Sequence, residues 1–163
     1  MKTGIIIICH NNEFDINNED CIKYLNEVAD IEFCLVNNNS ADNTLEVLKD
    51  LSENCKNVSV VNVNSHKSST SAVRAGARFM FNEYNLKQLG FITTKTLNSY
   101  ENFGILINII RENQHTICNY NKCFSETTEI KLTLFQRLFP VMDYLEINSN
   151  ENSAVNRKRL QTS

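Results

Sequence analysis

Hydrophobic and polar positions alternate in two rhythms over the first two thirds of the chain. Ile5-Ile6-Ile7-Ile8-Cys9 is an unbroken apolar run rich in β-branched residues, the pattern of a strand buried on both faces. Asn11 to Asn18 is mostly polar and predicts a loop. Cys21, Ile22, Tyr24, Leu25 and Val28 then recur at helical spacing. Ile31, Phe33, Leu35 and Val36 predict a second strand, ended by Asn37-Asn38-Asn39. Ser40 or Asp42 can cap the helix that follows, which carries Leu45, Leu48 and Leu51 on one face. Val58 to Val63 reads as a third strand. A polar loop, Asn64 to Ser71, leads into a helix bearing Val73, Ala77, Phe79, Met80 and Phe81. Leu89-Gly90-Phe91-Ile92-Thr93 reads as the fourth strand. Glu101 to Arg111 is a strongly apolar helix, and His115-Thr116-Ile117-Cys118 is the expected fifth strand.

Strands alternating with helices imply βαβ units and a mostly parallel sheet covered on both faces, a Rossmann-like three-layer α/β/α domain. In such sheets ligands bind at the carboxyl ends of the strands. Here those ends carry loops 10–18, 37–43, 64–71 and 93–99. Later, Ile130 to Leu138 has the apolar spacing of an amphipathic helix that Pro140 should end or kink. From Asn148 the chain is polar, so the expected division is a domain over 1–147 and a flexible tail over 148–163. Arg157-Lys158-Arg159 fits a solvated terminus better than a nucleic-acid contact.

Composition narrows the chemistry. The 163 residues suit one domain with its own core, and 16 basic against 19 acidic residues give a net charge of −3, which provides no footprint for nucleic acid. No apolar run approaches the roughly 20 residues of a transmembrane helix. The opening apolar run is too short for a signal peptide. Only four glycines (4, 76, 90 and 104) are present, so neither a P-loop nor a GxGxxG fingerprint can be built. Six cysteines (9, 21, 34, 55, 118 and 123) lie in apolar or helical contexts, which predicts reduced, mostly buried thiols and a cytoplasmic protein.

Four segments in order carry a resemblance to a known family. Ile5-Ile6-Ile7-Ile8-Cys9-His10-Asn11-Asn12-Glu13 resembles the opening strand and loop of family 2 glycosyltransferases of the GT-A fold. Leu35-Val36-Asn37-Asn38-Asn39-Ser40-Ala41-Asp42-Asn43-Thr44 resembles that family's V-D-D-G-S-x-D-x-T element. Ala72-Val73-Arg74-Ala75-Gly76 is similar to the A-V-R-x-G element of its polyprenyl-phosphate glucosyl- and mannosyltransferase branch. Leu89 to Thr96 sits where the family has a strand ending in Asp-x-Asp. The resemblance implies a GT-A-like domain and a nucleotide-diphosphate sugar donor. It also implies a base held by the first two loops, a Mg²⁺ or Mn²⁺ ion on the Asp-x-Asp carboxylates, and a later carboxylate that deprotonates the acceptor.

The sequence departs from that pattern where the chemistry lies. The Asp-Asp pair is Asn37-Asn38, followed by Asn39 in place of Gly, and the Asp-x-Asp is Thr93-Thr94-Lys95. Hard divalent cations take anionic or carbonyl oxygens, and an ammonium repels them. Two unit charges about 4 Å apart at an effective dielectric near 20 cost about 4 kcal/mol. No metal cofactor is therefore expected. The candidate donor-binding residues are His10, Asn11, Glu13, Asn38, Lys67, Arg74, Thr93 and Lys95. His10 stands where an aromatic usually stacks on the base, and Lys67 and Arg74 stand near the expected diphosphate. The acceptor half looks truncated, with Glu126, Glu129, Asp143, Glu146 and Glu151 as unmatched acidic candidates. The expectation is a degenerate member with weak nucleotide binding. Two alternatives are a metal-independent transferase using Lys95 and Arg74 on the diphosphate, and an interaction module that kept only the scaffold.

Other constellations fit blander roles. His115-x2-Cys118-x4-Cys123 offers three ligands where structural zinc wants four. Cys9 and His10 point to opposite faces of a strand end and cannot readily pair as nucleophile and base. Phe135, Phe139, Met142, Tyr144 and Leu145 give the 130–145 segment enough apolar surface for a homodimer or partner contact, or for packing over a sheet edge.

Overall fold

The computed structural model describes residues 1–16, 19–120 and 138–161, with side chains described as far as 154. Five strands form one parallel sheet in the order β3-β2-β1-β4-β5. They are β1 (Lys2–Cys9), β2 (Ile31–Asn38), β3 (Val58–Val63), β4 (Leu86–Ile92) and β5 (Leu138–Pro140). The helices are α1 (Glu13–Ile16), α2 (Glu19–Glu27), α3 (Thr44–Asn54), α4 (Ser69–Glu83), α5 (Thr94–Leu97), α6 (Phe103–Glu112), α7 (Gln114–Cys118) and α8 (Val141–Gln161).

The pleat sorts each strand between two cores. Ile5, Ile7 and Cys9 join Phe33 and Leu35 in a core completed by residues of α2, α3, α6, α7 and α8. Ile6 and Ile8 join Cys34 and Val36 in a second core covered by α4. That two-sided burial is why the strands read as continuous apolar runs. Helix α4 approaches the sheet closely, because Gly76 has no side chain there. A Cβ at that position would lie 2.8 Å from Ile6 Cγ2 and 3.0 Å from Val36 Cγ2.

One expectation needs correction. His115 to Cys118 is the helix α7, not a strand. One helical turn buries Ile117, and its carbonyl accepts from Gln88 Nε2 of β4 at 2.5 Å. The fifth strand is instead Leu138–Pro140, paired parallel to β4 at the sheet edge. Pro140 ends that strand, where a missing N–H is tolerated. Helix α8 continues through the polar stretch from Asn148 as far as Gln161. The expected 130–137 helix lies outside the described residues. Within 138–145, Phe139, Met142 and Leu145 are buried in the sheet's own core, and Tyr144 is half-buried and packed against it. Phe139 stacks on Tyr120 with ring centroids 3.9 Å apart. The described part of that segment packs on the sheet as core.

No helix among the described residues is long and apolar enough to cross a membrane. The strand order reverses between β1 and β4, since β2 and β3 extend from one side of β1 and β4 lies on the other. That switch point opens a crevice at the carboxyl ends of β1 and β4.

Candidate functional site

The carboxyl ends of β1, β2 and β3 are joined by short hydrogen-bonded loops. Asn11 and Asn39, the residues that turn the chain out of β1 and β2, both adopt φ of 53°. Asn tolerates this left-handed conformation better than most residues, so Asn39 can stand where the resembled motif has Gly. Asn11 N–H donates to Ser40 Oγ at 3.0 Å, and Asn11 Oδ1 accepts from Ala41 N–H at 2.8 Å. Glu13 N–H donates to Asp42 Oδ2 at 3.2 Å, and the Glu13 carboxylate accepts from Asn43 N and Nδ2 at 3.3 and 3.0 Å. Burial pushes the Asp42 carboxyl up, but hydrogen bonds from Thr44 and Glu13 outweigh it and hold the group below its ordinary value.

Asn12, which the sequence pattern did not mark, is the buried hub of this corner. Its N–H donates to Thr44 Oγ1, its Oδ1 accepts from His10 N–H, and its Nδ2 donates to Asp15 and Asn98. The Asn98 bond ties the β1 loop to the segment after β4 across the switch point.

Asn38 is 3% exposed, and both polar atoms of its amide are engaged. Nδ2 donates to Lys67 O at 2.8 Å and Oδ1 accepts from Lys67 N–H at 3.0 Å. The side chain therefore clamps the loop after β3 to the end of β2. His10 Nδ1 lies 2.8 Å from Asn38 O. A carbonyl only accepts, so Nδ1 carries the proton and Nε2 is left as an acceptor, with Asn11 Nδ2 3.3 Å away. His66, another residue the pattern gave no reason to select, sets its ring edge-on to His10 with centroids 4.9 Å apart.

Arg74 and Thr93 come together elsewhere. With Ser69, Thr70, Val73, Phe91 and Leu138 they line a cavity of about 260 Å³ between the first turns of α4 and the end of β4. Helix α4 begins at Ser69, is capped by Ser68, and presents the positive end of a 15-residue helix to this cavity. Thr93 and Thr94, at the end of β4, have engaged hydroxyls. Thr93 Oγ1 accepts from Thr96 N–H as the cap of α5, and Thr94 Oγ1 donates to Ile8 O at 3.1 Å. Lys95 is exposed on α5, and Lys67 is exposed on the β3 loop. Neither lines this cavity. The donors at the end of β4 are thus neutral hydroxyls bonded within the protein, followed by an ammonium, and this set does not fit Mg²⁺ or Mn²⁺. Among the described residues no three His, Cys, Asp or Glu side chains are grouped as metal ligands, and Cys123 of the weighed zinc trio lies outside them.

Two further cavities adjoin the strand ends. One of about 240 Å³ is lined by Phe91, Ile92, Thr93, Thr96, Pro140, Met142 and Asp143. It shares Phe91 and Thr93 with the Arg74 cavity. Asp143 alone of the acidic candidates lines it; Glu146 and Glu151 are exposed along α8, and Glu126 and Glu129 lie outside the described residues. The other, about 330 Å³, lies between the ends of β2 and β3 and the first turn of α3.

A family model described as glycosyl transferase family 2 matches residues 4–160. A comparison with curated proteins finds no match. Among solved structures, S. aureus TarS 1-349 is similar at 15% identity and a TM-score of 0.46, over 70% of this chain and 33% of that one. A second S. aureus TarS structure aligns at 15% identity and a TM-score of 0.45, over 70% of this chain and 20% of its own. The chain spans a third or less of the length of these solved chains.

Proposed function

The chain belongs to glycosyl transferase family 2, and from that premise we propose that it is a degenerate member. In this reading it holds a nucleoside diphosphate, or its sugar, weakly and without a divalent cation, and it turns none over. The observation that carries the reading is the end of β4. Thr93 and Thr94 have their hydroxyls on the protein's own backbone, and Lys95 brings a positive charge to the position where the family's metal would be held.

Anion binding remains chemically reasonable beside it. The amino end of α4, the Ser69 and Thr70 side chains and the Arg74 guanidinium meet at one cavity, and helix amino ends favour phosphate. Lys67 and Lys95 are exposed cations on the neighbouring loops. The base would lie by His10, whose Nδ1 proton on Asn38 O fixes the ring's orientation.

Thermal melting with UDP, GDP and their sugars, with and without Mn²⁺, tests the proposal. A ligand at 100 times its dissociation constant adds about 2.7 kcal/mol of stability. The expected result is a small shift that is independent of Mn²⁺ and reduced by Arg74→Ala. A shift that requires Mn²⁺ overturns it.

One observation favours a second reading, transfer without a metal. Asp143 places a carboxylate in the cavity that shares Thr93 with the Arg74 cavity. An acceptor hydroxyl bound there would have a proton acceptor beside the donor. Turnover of a sugar nucleotide that Asp143→Asn abolishes while nucleotide binding persists would replace the first reading with this one.

A further inference from the structure

Two of the chain's three histidines meet at the carboxyl end of the sheet. His10 follows β1, and His66 lies on the loop after β3. Their ring centroids are 4.9 Å apart with the planes at 62°, which is an edge contact and not a face-to-face stack. Two imidazole nitrogens, each about 2.0–2.1 Å from one tetrahedral ion, place their ring centroids about 5 Å apart. The separation in this protein is therefore the one a shared ion needs.

The His10 ring is already set for that role. Its Nδ1–H donates to Asn38 O at 2.8 Å, which leaves Nε2 as the nitrogen with a lone pair. A ring N–H held by a backbone carbonyl is the outer bond that orients metal-ligating histidines. Asn38 is in turn clamped to Lys67, the residue after His66, so one clamp both sets the His10 ring and anchors the His66 loop. Asn11 Nδ2 lies 3.3 Å from His10 Nε2, a long and exposed bond that an ion can displace. His66 is exposed, so its ring can turn a nitrogen toward the ion without unpacking anything buried. The exposed Lys67 beside it adds a like charge, which limits the affinity.

Imidazole suits borderline ions such as Zn²⁺ and Cu²⁺, whereas Mg²⁺ and Mn²⁺ favour oxygen ligands. We propose that His10 and His66 form a two-histidine site for a borderline divalent cation, zinc above all, with water filling the remaining positions. A bound ion staples the β3 loop to the end of β1. The site is separate from the end of β4 and from His115 on α7. It rests on the histidine pair and not on nucleotide binding at α4, so the melting panel can fail and leave it standing.

Long-range ¹H–¹⁵N spectra of the imidazole rings test it, recorded as Zn²⁺ or Mg²⁺ is added to labelled wild-type protein. The expected result is a saturable zinc-dependent shift of His10 Nε2 together with one His66 nitrogen, while His10 Nδ1 stays protonated and Mg²⁺ moves neither ring. In His66→Ala the His10 Nε2 shift should require about tenfold more zinc, because one of the two protein ligands is gone. Zinc that moves neither ring, or moves them no differently from Mg²⁺, overturns the proposal. So does an unchanged His10 curve in His66→Ala. A curve shared with His115 overturns it as well, because it marks nonspecific association.

Discussion

Changing Asn38 to the Asp found in the resembled motif should destabilise this protein, and in a pH-dependent way. The wild-type amide makes two bonds to one residue, donating to Lys67 O at 2.8 Å and accepting from Lys67 N–H at 3.0 Å. Asn38→Asp keeps the acceptor but replaces the donor with a second carboxylate oxygen, so two oxygens would face each other at that distance. The Lys67 carbonyl loses its partner at a side chain only 3% exposed, which costs about 1–3 kcal/mol. For a chain of this length each kcal/mol lowers the melting temperature by about 2–4 °C, so the expected drop at pH 7 is about 2–12 °C. Burial and the opposed carbonyl both disfavour the ionised form and raise the new carboxyl's folded pKa above the unfolded value of about 3.9. A raised acid destabilises most where it is ionised. At low pH the protonated carboxyl can donate to Lys67 O again, and the loss should shrink as pH falls from about 6 to 4. Asn38→Ala provides the control, with a loss that does not vary with pH. Melting curves of the three proteins between pH 4 and pH 7.5 decide it. Asn38→Asp melting with the wild type at pH 7, or a loss equal at both ends, would refute the clamp.

Gly90→Ala should lower the melting temperature by a few degrees. The added Cβ would lie 2.3 Å from Val141 Cγ2 and 3.1 Å from Phe139 Cζ, and such overpacking costs about 1–3 kcal/mol. An unchanged melting temperature would mean that β5 and the start of α8 do not pack on β4 as placed. The thiols of Cys9, Cys21, Cys34 and Cys55 should resist alkylation of the native protein at pH 8. Burial pushes Cys21 and Cys34 up to about 12 and raises Cys9 and Cys55 as well, and peptide mapping that finds Cys9 or Cys34 modified before unfolding would contradict this. Asn57→Ala should cost about 1–3 kcal/mol in denaturant unfolding, because Asn57 Nδ2 serves Leu25 O and Val28 O, both at 2.9 Å, at the carboxyl end of α2. A midpoint equal to wild type would show that water replaces those bonds at no cost.

What the chain determined by itself is the scaffold. Strands β1 to β4 and the helices α2, α3 and α4 follow from local patterns, whereas the short α1 falls in a stretch expected as a loop; a strand buried on both faces must be apolar throughout whatever its neighbours are. The family, too, was legible in short stretches such as Ala72 to Gly76, where α4 meets the sheet. Short segments were not legible. His115 to Cys118 has strand-like composition, yet it turns as a helix to deliver one carbonyl to Gln88, a partner 29 residues earlier in the chain. Leu138–Pro140 is three residues long and became a strand only because β4 offered it an edge. The roles of the polar residues were the least legible of all. Asn37 and Asn38 are adjacent and chemically identical, but the pleat turns them to opposite faces. One clamps Lys67, and the other is left with an unpaired oxygen beside a cavity. His66 and Asn12 acquire significance only from loops brought together at the sheet's carboxyl end. Hydrophobic patterning is a property of a segment, whereas a polar atom's function depends on which partner the fold places about 3 Å away.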